Sequence, residues 1–350
     1  MVSKDEVLDA LRSVTDPELH KDLVTLNMVR EIQVDGGRVT FTLNLTTPAC
    51  PLRSKIEQDA RNAVASIKGV TTVEMKVGAQ VAATHPFGES SVLKNVKNII
   101  AVASGKGGVG KSTVAVNLAL ALSGSGAKVG ILDADIYGPN IPLMMGVNER
   151  PAMRGDTIIP LVAHGIKVAS LGFFYKDETA LVWRGPMVAG AVKQLLTQVD
   201  WGDLDYLITD LPPGTGDSGL TLAQTVPLGG VVIVTTPQEA ALNIATKAVG
   251  MFRKLNVPIL GIVENMSYFV CPHCGEKSFI FSSGGGRKAS TLLGVQFLGE
   301  IPLYPRIREQ SDIGVPIVVA APDSPESLAF KDVAFRVAGM VSMVAYNQSQ

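Results

Sequence analysis

The fold is decided by the stretch Ser104-Gly105-Lys106-Gly107-Gly108-Val109-Gly110-Lys111-Ser112-Thr113. Residues 99–103 before it form an apolar run typical of a buried strand, and residues 114–122 after it form an alanine-rich apolar run typical of a helix. The glycines let successive backbone N–H groups turn around an anion, where a Cβ would intrude. The helix N-terminus adds partial positive charge. This strand–loop–helix arrangement predicts a phosphate-binding loop for a nucleoside triphosphate.

The polar side chains of the loop have expected tasks. Lys111 reaches the β- and γ-phosphates, and the Ser112 hydroxyl ligates Mg²⁺. Lys106 is unusual, because the generic motif does not need a second cation near the phosphates. The alternative is a glycine-rich turn that binds no ligand. Further contacts to the nucleotide are expected from Gly105, Lys106, Gly107, Gly108, Val109, Gly110 and Thr113.

Composition limits the classes of protein to consider. A length of 350 residues favours two domains, and 46% hydrophobic with 18% charged residues favours a large core of parallel, doubly covered strands. The 31 basic and 32 acidic residues leave no surplus of positive charge, so nucleic acid is not an expected partner. No run approaches the ~20 apolar residues of a membrane span, so no membrane partner is expected. A charged N-terminus and only three cysteines predict a reducing, cytoplasmic location.

Residues 1–84 are predicted to form a small α-β-β-α-β domain. A helical pattern over residues 4–14 ends at Asp16-Pro17-Glu18. Residues 29–34 and 38–45 alternate as two strands joined across Asp35-Gly36-Gly37, a strong hairpin signal. A helix over residues 52–67 and a strand over residues 70–77 complete the domain. Residues 85–97, which contain Pro, Gly and Ser, are predicted to form a linker.

Residues 98–350 are predicted to form the larger domain, in which strands alternate with helical segments. This alternation builds an α/β fold with a doubly wound, mostly parallel sheet, the fold class of P-loop NTPases. A helix over residues 324–343 is expected to pack on that sheet. The predicted strands are residues 99–103, 129–132, 206–209, 231–235, 259–264 and 295–301.

Three acidic residues come directly after predicted strands. In open α/β sheets, ligands lie at the carboxyl ends of strands. Asp133 and Asp135 follow one strand, and a carboxylate there orients the attacking water or coordinates Mg²⁺ through water. Asp210 ends another strand and is the expected holder of Mg²⁺ or its water shell; the turn Pro212-Pro213-Gly214 beyond it could sense the γ-phosphate. The alternatives are solvated loop acids and a plain tight turn.

Cys271 and Cys274 form a C-x-x-C pair with Gly275 after the second cysteine. At this spacing both thiolates can face one metal ion or one edge of a cluster. A tetrahedral site needs four ligands, and the remaining cysteine, Cys50, lies in the first domain. A two-fold dimer would bring two Cys pairs together into a four-thiolate site. A redox dithiol and inert loop cysteines are the alternatives.

Two further residues are candidates with open alternatives. Asn265 follows the strand over residues 259–264, where a doubly wound NTPase often contacts its base, but a capping or turn asparagine is an equal alternative. Cys50 stands between Pro48 and Pro51 near a helix start, where its pKa could be lowered. A lone cysteine is more often structural.

The loop with its second lysine, Lys106, resembles the deviant Walker A ATPases, a superfamily that includes MinD, ParA, ArsA and the nitrogenase iron protein. Three more motifs narrow the resemblance to the Mrp/ApbC iron–sulfur cluster carriers. They are Asp133-Ala134-Asp135-Ile136-Tyr137-Gly138-Pro139, Asp210-Leu211-Pro212-Pro213-Gly214-Thr215-Gly216-Asp217 and Cys271-Pro272-His273-Cys274. The first ~80 residues, with Asp16-Pro17-Glu18 and Thr47-Pro48-Ala49-Cys50-Pro51, resemble a small iron–sulfur-assembly domain often fused ahead of bacterial Mrp proteins.

The resemblance implies roles at the matching positions. Lys106 would reach across a nucleotide-sandwich homodimer to the partner's phosphates, while Lys111, Ser112 and Thr113 would hold phosphates and Mg²⁺. Asp135, with Asp133 nearby, would act on the attacking water. Cys271 and Cys274 of both subunits would bridge one [4Fe–4S] cluster.

The expected function is therefore an ATPase that slowly hydrolyses ATP and carries a cluster to apoproteins. One alternative is a MinD- or ParA-like positioning ATPase, which would need a basic surface for membranes or DNA. The C-terminal segment offers only Lys331 and Arg336 against Glu326 and Asp332. The other alternative is an ATPase whose cysteine pairs hold structural Zn²⁺.

Overall fold

The computed structural model of the chain describes residues 2–17, 19, 21–50, 52–84, 93, 95–136, 138–174, 185–214, 223–224 and 226–348. Its contacts divide the chain into two units, Met1–Ala82 with Ala338–Gln350, and Ala83–Val337. The boundaries predicted from the sequence, 1–84 and 98–350, stay a prediction. Most of the predicted linker lies outside the described residues, as do Glu18, Pro51, Tyr137 and the end of the second acidic motif, residues 215–217.

The first unit has the predicted α-β-β-α-β order, with one short antiparallel ribbon added. The Ser3 hydroxyl accepts the backbone N–H of Glu6, and the Glu6 carboxylate accepts that of Ser3, so a capping box starts the first helix. Gly36 adopts φ +58° in the predicted hairpin turn. The elements are α1 (Lys4–Arg12), β1 (Thr15–Asp16), β2 (Lys21–Asp22), β3 (Val29–Asp35), β4 (Arg38–Leu45), α2 (Arg53–Ala65) and β5 (Thr72–Ala79).

Strand β4 is the middle of a three-stranded sheet, antiparallel to β3 and parallel to β5. The parallel pairing follows because helix α2 crosses over between β4 and β5. Alternate residues of β4 are fully buried, as are the apolar residues that α1 and α2 present to the same core. They include Val39, Phe41, Leu43, Leu45, Leu11, Ile56, Ala60 and Val64.

The second unit contains a nine-stranded sheet within the described residues, in the order β10-β11-β7-β12-β6-β13-β14, with β15 and β16 both paired to β14. All pairings are parallel except β10 with β11 and β14 with β15. This confirms the predicted α/β fold with its mostly parallel sheet. The strands are β6 (Ile99–Ser104), β7 (Val129–Asp133), β10 (Leu161–Ala163), β11 (Ile166–Ser170), β12 (Tyr206–Asp210), β13 (Gly230–Thr235), β14 (Ile259–Val270), β15 (Lys277–Ser278) and β16 (Phe297–Leu303); β8 (Met153–Arg154) and β9 (Thr157–Ile158) form a separate ribbon.

Strands β6, β7, β12 and β13 are buried at every residue, as expected for a parallel sheet covered on both faces. None of the helices in the described residues is long and apolar enough to cross a membrane. The helices that follow α1 and α2 along the chain are α3 (Lys111–Gly124), α4 (Ile141–Met144), α5 (Gly185–Gln198), α6 (Glu239–Lys254), α7 (Gly285–Leu293), α8 (Pro305–Asp312), α9 (Ile317–Ala320) and α10 (Pro325–Gln348).

Strand β14 is twice as long as the sequence predicts. The prediction stopped at Glu264, where the continuous apolar run ends, but the strand continues to Val270. Its second half is held by pairing with β15 and β16, with a register shift between Asn265 and Phe269. Met266 there has φ +56°, which is unusual for a residue with a side chain. The strand therefore leads directly into Cys271.

Candidate functional site

The loop between β6 and α3 has the backbone of a phosphate-binding loop. Gly108 and Gly110 adopt φ +77° and +78°, conformations that favour glycine. A Cβ on Gly110 would overlap the Asn265 side chain, and one on Gly105 would overlap Ile244. Gly110 precedes the first turn of α3, so the backbone N–H groups at the start of that helix face the loop.

The Asn265 side chain contacts the backbone of this loop. Its Nδ2 donates to the carbonyl oxygen of Val109 at 2.8 Å, and its side chain is buried. In this arrangement Asn265 holds the backbone of the phosphate loop. A contact to a nucleotide base, the expectation from the sequence, stays a prediction.

Lys111 is bound inside the site by two carboxylates. Its Nζ lies 2.5 Å from Oδ1 of Asp210 and 3.6 Å from Oδ2 of Asp135. The Ser112 hydroxyl donates to the other Asp210 oxygen at 2.6 Å. The structure thus brings together four of the residues predicted to bind nucleotide or act on water. Asp210 ends β12 and Asp135 follows β7, while Lys111 and Ser112 begin helix α3, which follows β6. The three strands are neighbours in the sheet.

Burial raises the pKa of Asp210, and the nearby Lys111 opposes that rise. Burial is also the main cause that raises the pKa of Asp135, again against the effect of Lys111. Two buried carboxylates thus depend on one lysine for compensation, because desolvation disfavours an isolated charge.

The Asp133 carboxylate has different hydrogen-bond partners from those of Asp135 and Asp210. It accepts the backbone N–H of Asp135 at 3.1 Å, the backbone N–H of Ile141 at 3.4 Å and the Ser170 hydroxyl at 3.0 Å. Burial, and then the neighbouring Asp210, raise the pKa of Asp133 to about 8. The two acids of the motif therefore occupy separate environments.

A cleft of about 400 Å³ lies in front of the loop. Its wall includes Lys106, which forms no ion pair with any residue that the structure describes. Asn140 and Met144 also face the cleft, although no motif or spacing in the sequence marks either residue. The lining residues are Ser104, Lys106, Gly107, Gly108, Gly110, Lys111, Ser112, Thr113, Asp135, Gly138, Asn140, Met144 and Pro213.

The cysteine pair forms a tight turn between β14 and β15. The backbone N–H of Cys271 donates to Glu276 at 3.0 Å, and the N–H of Gly275 donates to the Cys271 carbonyl at 2.9 Å. Backbone N–H groups of Cys274, and then of His273, point at the Cys271 sulfur and lower its pKa. Cys271 is half-buried and Cys274 is exposed.

No group of three or more His, Cys, Asp or Glu side chains suited to a metal ion occurs among the described residues. One chain therefore offers the cysteine pair alone at this turn, which is half of a four-thiolate site. Cys50, in the first unit, is half-buried and packs against that unit's core.

Glu264 connects β14 to the helix that follows the cysteine turn. Its buried carboxylate accepts the Ser267 hydroxyl at 2.6 Å and the backbone N–H groups of Gly284 and Gly286. These two amides belong to the N-terminus of α7. A carboxylate of the protein itself therefore occupies this helix N-terminus.

Residues 95–338 match the family model described as NUBPL iron-transfer P-loop NTPase. The chain belongs to this family. Residues 4–75 match a second model, described as iron–sulfur cluster assembly protein. As an iron-transfer P-loop NTPase, the chain is expected to bind its nucleotide at the loop between β6 and α3.

Of three similar curated proteins, two match this iron-transfer P-loop NTPase over nearly its whole length and the third over about three quarters of it. An iron–sulfur cluster carrier protein of Synechocystis is 51% identical over 351 residues, which cover 99% of each chain. One of Escherichia coli is 42% identical over 96% of this chain and 91% of its own. The iron–sulfur cluster transfer protein NUBPL of Dictyostelium discoideum is 49% identical over 74% of this chain and 81% of its own.

Solved structures with the same fold cover about two thirds of this chain. A nucleotide-binding protein of Archaeoglobus fulgidus in complex with ADP has a TM-score of 0.60 at 40% identity and covers 67% of this chain and 92% of its own. The cell division ATPase MinD of Pyrococcus furiosus has a TM-score of 0.53 at 25% identity and covers 69% and 98%. These matches support the P-loop NTPase fold.

Proposed function

We propose that this iron-transfer P-loop NTPase is an ATP-dependent iron–sulfur cluster carrier of the cytoplasm. Two copies would hold one [4Fe–4S] cluster between their Cys271 and Cys274 residues and pass it to apoproteins, with slow hydrolysis of ATP. The names of the curated relatives support the cargo. The phosphate loop and the turn with two exposed or half-exposed thiols support the two binding activities.

At the nucleotide site, the residues fit Mg²⁺–ATP by their chemistry. Lys111 would exchange its contact with Asp210 for the β- and γ-phosphates, and the loop amides would hold the remaining oxygens. The Ser112 hydroxyl and the Asp210 carboxylate would hold Mg²⁺ or its water ligands, and the ion would neutralise phosphate charge. Asp135 Oδ1 is buried without a hydrogen-bond partner in the described part of the chain. It is therefore the expected acceptor for the attacking water.

At the cysteine turn, the two thiols fit one half of an iron–sulfur cluster site shared by two chains better than a complete metal site within one chain. Thiolates are the ligands of such clusters, and the lowered pKa of Cys271 favours the thiolate. Because the turn offers two thiols per chain, a homodimer completes a set of four. Ligands shared across a separable interface allow the cargo to be released.

The observation that carries the proposal is strand β14, which joins the two sites. Asn265 donates to the phosphate loop at one point of the strand, and Cys271 follows its last residue, Val270. Between them lie Met266 with φ +56° and the register shift against β16. A change of the loop on binding nucleotide would therefore act on the strand that positions the cysteine turn.

Reconstitution with iron and sulfide under anaerobic conditions tests the cargo. We expect a brown protein with about four irons and four sulfides per dimer, following four-thiolate ligation of a [4Fe–4S] cluster. The loaded protein should activate an apo iron–sulfur enzyme faster than free iron and sulfide do. A colourless protein with about one Zn²⁺ per dimer that iron cannot displace would contradict the proposal and favour structural zinc.

Lys106→Ala tests the cross-subunit role of the second lysine. We expect ATP affinity to be largely kept, because Lys111 and the loop amides remain, and hydrolysis to be lost, because the partner's phosphates lose a cation. Isothermal titration and steady-state phosphate release measure the two effects. Lys128→Ala, at an exposed position just before β7, serves as a matched control. Wild-type hydrolysis by Lys106→Ala would remove the cross-subunit assignment.

A further inference from the structure

Ser170 is a fully buried serine at the end of β11. Strand β11 runs parallel to β7, with Ser170 opposite Asp133 in the register. The serine hydroxyl donates to Asp133 Oδ2 at 3.0 Å and accepts the backbone N–H of Gly172 at 3.0 Å. Its hydrogen bonds therefore fix both the serine rotamer and the position of the Asp133 carboxylate.

The Asp133 carboxylate passes this constraint on to the wall of the cleft. Oδ1 accepts the backbone N–H of Asp135, and Oδ2 accepts that of Ile141. These two amides are the two ends of the segment that supplies Asp135, Gly138 and Asn140 to the cleft. One carboxylate thus holds both ends of this segment, while Asp133 itself does not line the cleft.

Asp135 needs such support. Its Oδ1 is buried without a hydrogen-bond partner in the described residues, and Oδ2 lies 3.6 Å from Lys111 Nζ. A backbone hydrogen bond from Gly138, within the segment whose ends Asp133 holds, also reaches the Asp135 carboxylate. A buried polar atom without a partner is unfavourable, so the surrounding structure must keep the side chain in place. A shift of about 1 Å at a reacting group can lower a rate about 100-fold.

We propose that Ser170, acting through Asp133, is a positioning residue for the Asp135 carboxylate. This inference rests on the proposed ATP hydrolysis. It assigns Asp133 a supporting task instead of the action on water expected from the sequence. All three groups that bond to the Asp133 carboxylate are uncharged hydrogen-bond donors, so residue 133 supports Asp135 through the hydrogen bonds that it accepts.

The test is steady-state ATP hydrolysis and ATP affinity of full-length variants. Ser170→Ala should lower kcat about 3- to 10-fold, the size of one lost hydrogen bond, with ATP affinity changed less than about twofold. Asp133→Ala should lower kcat further. Asp133→Asn should restore only part of that loss, because its amide oxygen can accept from Asp135 and its amide nitrogen can donate to Ser170, while the Ile141 N–H loses its acceptor.

A double variant separates positioning from general loss of structure. In the Asp135→Asn background, Ser170→Ala should change the residual rate less than about twofold, because residues that act through one group are not additive. Ser290→Ala is the matched control, since the hydroxyl of this buried serine donates to the helix carbonyl of Arg287 and bonds to no other group in the described residues. It should hydrolyse ATP at the wild-type rate.

Two outcomes overturn the inference. Ser170→Ala with wild-type kcat would remove Ser170 from the site, and an equally large effect of Ser170→Ala in the Asp135→Asn background would show that the serine does not act through Asp135. Unchanged hydrolysis by Asp135→Asn would instead contradict the proposed role of Asp135 in the function itself. If Asp133→Ala fails to fold, the kcat of Ser170→Ala, alone and in the Asp135→Asn background, still tests the inference.

Discussion

Replacing either Cys271 or Cys274 by alanine is expected to abolish cluster loading. Each chain offers two thiols at this turn, so one substitution removes two of the four ligands of a symmetric site. The measurement is iron and labile sulfide per dimer after anaerobic reconstitution, together with the visible absorption of the protein. Both variants should be colourless and should retain ATP binding, because the phosphate loop lies on other elements.

Cys50→Ala is the matched control for this experiment. It removes the only other thiol of the chain, and Cys50 packs against the core of the first unit. We expect most of the cluster to be retained. Full loading of Cys271→Ala, or loss of the cluster in Cys50→Ala alone, would place the cargo elsewhere.

Lys111→Ala is expected to abolish ATP binding and also to destabilise the nucleotide-free protein. The phosphates lose their direct cation, which should weaken binding about 100-fold or more. The fully buried Asp210 loses its partner at 2.5 Å, and breaking a buried ion pair costs about 3–5 kcal/mol. Isothermal titration with ATP and urea denaturation without nucleotide measure the two effects.

The loss of stability should depend on pH. Burial already raises the pKa of Asp210, and removal of Lys111 would raise it further. A carboxyl whose pKa is higher in the folded than in the unfolded state binds more protons when folded, so unfolding becomes easier as pH rises. The destabilisation should therefore be small below about pH 3, where the carboxyl is protonated in both the folded and the unfolded state, and grow towards neutral pH.

The double variant Lys111→Ala/Asp210→Asn separates stability from binding. Removing the unpaired charge should restore much of the free energy of unfolding, while ATP binding stays lost. If Lys111→Ala alone binds ATP with wild-type affinity, the assignment of the phosphate loop is wrong.

The central part of the fold follows from local sequence. The strand–loop–helix around Lys111 is predictable because buried parallel strands are apolar runs, and the glycines of the loop report the positive φ angles found at Gly108 and Gly110. The meeting of Asp135 and Asp210 with Lys111 is predictable because carboxyl ends of parallel strands share one edge of the sheet.

The rest depends on contacts between distant segments. Ser170 gives no signal, because its only feature in the sequence is a serine after a short apolar run, and its role arises from the pairing of β11 with β7. The second half of β14 begins with the polar residues Asn265 and Ser267, which interrupt the apolar run, and it is a strand because β15 and β16 pair with it. Spacing places Asp133 and Asp135 together, but their different burial partners follow from tertiary packing.

The bond pattern of Glu264 bears on how glycine-rich segments are interpreted. Gly284-Gly285-Gly286 precedes Arg287 and Lys288 at a helix start, so by composition it looks like a second phosphate loop. The backbone amides of Gly284 and Gly286 already donate to an anion of the chain itself, the Glu264 carboxylate. In the loop at Gly107–Ser112, by contrast, no side chain of the described residues accepts from the backbone amides. Glycine content alone therefore does not identify a phosphate loop. The backbone N–H groups must also be free of a carboxylate from the chain itself, such as the one that Glu264 supplies to Gly284 and Gly286.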